Sequence, residues 1–121
     1  MKTTQRNAVV AYMALNQMSQ KPMNSFTAYK LFRLKKALRE IVEFQAEEER
    51  KIAKELGGEI TEDGHLNLSD EGIAEYDKRR KELGDTECEI DREKTAISMK
   101  ELKDISMAEM EILDEYIEWK E

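Results

Sequence analysis

Between Leu31 and Ile52 the chain places Leu31, Leu34, Leu38, Ile41, Gln45, Glu48 and Ile52 at alternating spacings of three and four. That is a heptad-like seam, the mark of one long helix that packs along a line and turns polar toward its far end. Asn24 or Ser25 caps its start, and Gly57-Gly58 stops it with residues that tolerate positive φ. The expectation is a single helix over about residues 25–56. At about 100° per residue, Phe26, Tyr29 and Phe44 fall on a different flank, expected to pack against the helix before it. Beyond Phe44, the run Glu47-Glu48-Glu49-Arg50-Lys51 reads as helix standing in solvent.

The preceding helix is expected from about Thr4 to Ser19. Ala8 through Leu15 make it apolar around much of its circumference, so it expects neighbours on more than one side. Pro22 keeps Lys21 out of helical geometry and separates the two helices. After Gly57-Gly58, Glu59-Ile60-Thr61 and His65-Leu66-Asn67-Leu68 flank an Asp63-Gly64 turn, which predicts a small β-hairpin. Ser69 caps a third helix to about Leu83, with Asp70 and Glu71 in its first turn and Ile73, Tyr76, Arg80 and Leu83 as a thin seam. Residues 30–83 thus read as an antiparallel helical hairpin with its tip at 57–68. Thr86, Cys88 and Ile90 alternate with acids, so residues 86–97 read as extended. Ser98-Met99-Lys100-Glu101 and Ser106-Met107-Ala108-Glu109 are both capping-box patterns. The first predicts a short helix, the second a closing helix that carries Met110, Leu113, Tyr116, Ile117 and Trp119. The class expected is mostly α, a single domain over 1–121 with a minor β element and packed terminal helices.

Composition narrows the function classes. At 121 residues the chain is long enough for a real core. No apolar run approaches the roughly 18–20 residues of a membrane span, and Met1–Asn7 leads to no signal-peptide pattern. One cysteine, Cys88, excludes an internal disulfide framework and fits a reducing compartment, so the location expected is cytoplasmic. One histidine, His65, leaves no His-based zinc site. Glu47 and Glu48 point about 100° apart on an exposed helix, with nothing to split their pKa values for acid–base work. Asp63, Asn67, Ser69 and Glu71 supply only fragments of a calcium loop. Cys88 stands between Glu87 and Glu89, which oppose a thiolate. The double glycine lacks the Lys and Ser/Thr of a phosphate loop. No catalytic residue, metal or cofactor is therefore expected.

The charge is split along the chain. Residues 1–39 contain eight Lys and Arg and no acid, and all 27 acids lie in residues 40–121. Either the basic end is a binding face or the two halves attract one another. The sharpest local feature is Lys30 to Arg39, where Arg33, Lys35, Lys36 and Arg39 lie on roughly the arc opposite the leucine seam, with Phe32 among them. A basic helical face with an aromatic anchor suits an acidic protein partner, or nucleic acid. The net charge of −7 argues against the latter at long range. Met107, Met110, Tyr116 and Trp119 form a second candidate surface for self-association, expected to build a homodimer from the terminal helices.

The order of elements resembles a family of small proteins of unknown function from tailed phages and prophages of Gram-positive bacteria. The residues that carry the likeness are Ala14-Leu15-Asn16, Pro22, Tyr29-Lys30-Leu31, the 30–83 hairpin, Cys88-Glu89-Ile90-Asp91, and Leu113 through Trp119. The resemblance implies a phage origin and a place in the host cytoplasm, and brings no catalytic residue with it. The function expected is a non-enzymatic protein–protein interaction module that acts on a host protein or a phage assembly by occlusion or scaffolding. The alternatives are a nucleic-acid-binding accessory factor and a self-assembling structural protein.

Overall fold

A computed structural model describes the whole chain, Met1–Glu121. Helices hold 55% of it, so the class is mostly α. Strand β1 (Lys2–Thr4) leads into α1 (Gln5–Met18), where Thr4 is the N-cap and its hydroxyl accepts from the Asn7 N–H. Helix α2 runs unbroken over Ser25–Glu55, capped by Asn24. The hairpin strands β2 (Glu59–Ile60) and β3 (Leu66–Asn67) pair antiparallel. They are followed by α3 (Asp70–Gly84), β4 (Glu87–Glu89), β5 (Thr95–Ser98), α4 (Met107–Leu113) and β6 (Ile117–Lys120).

The seam is where the core forms. Leu31, Leu34 and Leu38 of α2 are buried against Ala8, Ala11, Leu15 and Met18 of α1, and Ile97, Leu102, Leu113, Tyr116 and Ile117 close the same cluster. Farther along, Ile52 and Ala53 make a second, smaller core with Tyr76 of α3. Helix α3 runs back along α2: Glu49 meets both the Tyr76 hydroxyl at 3.3 Å and the Arg80 guanidinium at 3.5 Å, and Gln45 shares a groove with Arg80 and Gly84. The helical hairpin over 30–83 is therefore present. Of its thinner seam, Tyr76 is buried and Leu83 half-buried, while Ile73 and Arg80 are exposed. At the tip, Gly57 takes φ +83°, and a Cβ on Gly58 would stand 2.1 Å from the Asn67 carbonyl. The double glycine thus ends α2 and lets the hairpin fold close beneath it.

Four expectations are corrected. No helix opens at Ser98. That residue ends β5, and the Glu101 carboxylate that would complete a capping box accepts instead from the buried Thr27 hydroxyl at 2.7 Å. The closing helix stops at Leu113 rather than carrying on through Trp119. Residues 117–120 form β6, parallel to β5, with Thr95 opposite Ile117 and Ser98 opposite Lys120. Ile117 and Trp119 alternate with Glu118 and Lys120, a strand period that the helical pattern before it disguised. Residues 86–97 are not one extended run, because Arg92 turns the chain between β4 and β5, and β4 pairs with the unanticipated β1. Finally, Phe26, Tyr29 and Phe44 do not pack on α1. All three are exposed, because α1 docks on the leucine seam and the aromatic flank lies round the helix from it.

Leu38 is fully buried and Phe26 is 82% exposed. Leu38→Ala is expected to lower unfolding free energy by about 2–5 kcal/mol, and Phe26→Ala to change it by no more than about 0.5 kcal/mol. Urea unfolding of the two variants checks both.

Candidate functional site

Helix α2 is covered along its leucine seam by α1 and β5, and the opposite arc of its first half is exposed. On that arc stand Phe26, Tyr29 and Phe32, exposed by 82%, 59% and 52%, with Arg33, Lys36 and Arg39 between and beyond them. The spacing explains the grouping, because positions three and four apart share a helix face. The rings of Tyr29 and Phe32 lie 6.5 Å apart, tilted by 33°. The Arg33 guanidinium stands 6.0 Å from the centre of the Tyr29 ring, at the limit of a cation–π contact. At Glu40 the arc turns acidic and the basic stretch ends.

None of Lys30, Arg33, Lys35, Lys36 and Arg39 forms an ion pair. Of the cations in residues 1–39, Arg6 pairs with Asp85 and Lys21 with Glu109 at 2.9 Å. Attraction between the two halves of the chain therefore accounts for Arg6 and Lys21, and leaves the basic stretch of α2 without a counter-charge. Lys35 departs from the arc assigned to it. It is half-buried and leans toward α1, with its ammonium 5.5 Å from the centre of the Tyr12 ring. Lys30, read as part of the same segment, is spent on the Ala96 carbonyl at 3.0 Å.

Beside Phe32 lies a groove of about 360 Å³, between the end of α1, the Ser19–Asn24 connection and the first turns of α2. Leu15, Met18, Pro22, Met23, Ala28 and Phe32 line it, with Lys21 and Lys35 at its edges. Sequence periodicity does not show this groove, because it exists only once Pro22 has turned the chain and the two helices meet. Lys21 also pins α4 to this connection. The Glu109 carboxylate takes its ammonium and the Ser106 N–H, and these two bonds, the lysine's first, hold the Glu109 pKa below its ordinary value.

The proposed self-association residues do not share one surface. Met107 is 76% exposed, and Met110 and Trp119 are half-buried. Trp119 packs against the main core and donates its indole N–H to Asp114 at 3.2 Å. Tyr116 is fully buried, with its hydroxyl 2.6 Å from the Thr3 hydroxyl, which takes it out of any surface. Val10 and Met13 of α1 remain exposed at the α1–α4 groove.

His65 stands exposed at the hairpin tip, 3.6 Å from Asp63. Cys88 is half-buried, and burial, then the charge of Glu115, pushes its thiol pKa up, away from the nucleophilic thiolate. Glu47 and Glu48 both face Lys51. No three His, Cys, Asp or Glu side chains are grouped where they could hold a metal ion, and no helix is long and apolar enough to cross a membrane. No family model, curated protein or solved structure matches the chain.

A carboxylate whose pKa is depressed by folding contributes stability above its unfolded pKa and loses that contribution as pH falls through the folded one. Glu109→Gln keeps the shape and the capping geometry while removing the charge. It is expected to destabilise the fold at neutral pH, and the gap from the wild type is expected to close as pH falls from neutral through the depressed Glu109 pKa. Urea unfolding of the pair across that range checks it.

Proposed function

We propose that this protein is a non-enzymatic, phage-type interaction module. It docks an acidic, apolar-edged surface of a host protein or a phage assembly on the outer face of the first half of α2, and acts by occlusion or scaffolding. The observation that carries the reading is the coincidence of three exposed rings, Phe26, Tyr29 and Phe32, with Arg33, Lys36 and Arg39, cations that have no ion pair. Aromatic and Arg side chains dominate the energetics of protein interfaces, because they bury large area and are desolvated together. Large rings left in water on a helix that already has a core elsewhere are what a docking face requires. The groove beside Phe32 extends the apolar part of that face toward α1.

The neighbouring Tyr29 and Phe32 rings, with Arg33 over Tyr29, also have the ingredients of a platform for single-stranded nucleic acid. The net charge of −7 opposes a polyanion, so the protein partner is preferred. Self-assembly is the weaker reading, since the four residues expected to build it lie partly in the core.

Lysate of a Gram-positive host, passed over wild-type protein and over the Phe32→Ala/Arg33→Glu variant, separates the readings. The expected result is one or a few proteins retained by the wild type and lost from the variant, with both baits equally stable. Gel shifts with single- and double-stranded DNA and RNA at micromolar protein are expected to be blank. Retention indifferent to the variant would remove the docking face. A salt-sensitive shift abolished by Arg33→Glu and Lys36→Glu would put nucleic acid in its place.

A further inference from the structure

On the arc that α1 leaves open, α2 carries a second stripe at alternating spacings of three and four. Phe26, Tyr29, Arg33 and Lys36 make up its first half, and Glu40, Glu43, Glu47 and Arg50 its second. Every one of these side chains is exposed. Arg33, Lys36, Glu40, Glu43 and Arg50 form no ion pair, and Glu47 meets only Lys51 of its own helix, at 3.9 Å. A stripe of this period is the seam along which one helix pairs with another. The leucine seam has its neighbours within the chain, and this one has none.

The order of residues along the stripe says what the other helix is. Reversed and laid against itself about a point level with Leu38, the stripe complements itself at every layer. Lys36 stands opposite Glu40 of the second copy, Arg33 opposite Glu43, Tyr29 opposite Glu47, and Phe26 opposite Arg50. Two-fold symmetry repeats each pair. The first two are ion pairs, the third brings a phenol O–H to a carboxylate, and the fourth sets a guanidinium against an aromatic ring. A slip of one heptad brings Arg33 against Lys36 or Glu40 against Glu43. Parallel pairing in register sets Arg33 on Arg33 and Glu40 on Glu40. Like charges therefore exclude both alternatives. We propose that two copies of this chain associate antiparallel through the outer stripe of α2, as a closed two-fold dimer. From Phe26 to Arg50 the contact runs for about 36 Å along each helix. The rings at both ends supply the apolar burial, and the charges between them set direction and register. The net charge of −7 on each copy opposes the approach, so the dimer forms as concentration rises. It uses none of the terminal-helix residues. The inference goes beyond the docking reading and does not rest on it. The two share Tyr29 and Arg33, so a docked partner takes the place of the second copy.

The test uses the full chain. Sedimentation equilibrium across a concentration series is expected to show the mass rising from 14.2 kDa toward twice that value. Arg33→Glu/Lys36→Glu and Glu40→Lys/Glu43→Arg lie at exposed positions outside both cores, so neither variant is expected to disturb folding. Either one alone is expected to weaken self-association by more than about tenfold. An equimolar mixture of the two is expected to dimerise again, because every layer then sets opposite charges together across two different chains. Spin labels report the direction of pairing. In a Cys88→Ser background, labels at Arg39→Cys are expected within about 20 Å of one another, and labels at Lys54→Cys about 50 Å apart. Short distances at both positions would make the pairing parallel and overturn the proposal. So would a mass of 14.2 kDa at every concentration, or variants that associate as the wild type does. A monomer beside ring-dependent capture from lysate removes the dimer and leaves the docking face. A charge-dependent dimer beside blank capture upholds the second copy as the occupant and removes the docked partner.

Discussion

Ala8 and Ala11 present almost no side chain to α2, so the backbone of α1 comes close to it, and Leu31, Leu34 and Leu38 fill the space beside Leu15 and Met18. Dense packing of this kind is sensitive to each methylene, which fixes how the two helices sit against one another. Every later element is placed by reference to that pair. Ile97, Leu113, Tyr116 and Ile117 cover its open end, and Ile90 and Leu102 cover its flanks. A chain that is 39% charged has few apolar residues to spare, and eleven of the large ones are buried here.

Polar contacts then fix which segment goes where. The Thr27 hydroxyl, fully buried at the start of α2, is satisfied by Glu101 across 74 residues of sequence. The Thr3 hydroxyl donates to Glu115 at 2.8 Å and meets the buried Tyr116 hydroxyl, which ties β1 to the chain before β6. Buried polar groups cost free energy unless they are bonded, so these pairs act more as conditions on the arrangement than as sources of stability. They also explain why the closing segment is a strand. Once Tyr116 is turned inward toward Thr3 and its carbonyl accepts from the Thr95 N–H, the next four residues fall into register along β5.

The same economy shapes the surface. Because α1 occupies the leucine seam, nothing in the chain is left to cover Phe26, Tyr29 and Phe32, and no acid reaches the cations among them. The far half of α2 is treated differently. There Glu49 and Glu55 meet Arg80 and Arg79 of α3, so that charged stretch is matched within the fold. One helix thus has a first half with unmatched rings and cations and a second half with internal partners. The contrast within a single element is a better guide to function than the charge total of the chain.

The residues themselves determined the length of α2, its caps, the double-glycine stop, the hairpin and the antiparallel return of α3, because each of these depends on local spacing and on backbone freedom. They also marked Phe32, Arg33, Lys36 and Arg39 as one face. What they did not determine was which flank of α2 the first helix would take. Two apolar faces competed near its start, and only the close fit of small alanines against leucines decided for the seam and left the aromatics outside. The fate of Ser98–Glu101 and of Tyr116–Trp119 was likewise decided at a distance. A capping box and a helical stripe were locally sound, but Thr27 claimed Glu101, and β5 offered hydrogen bonds to the residues after Tyr116.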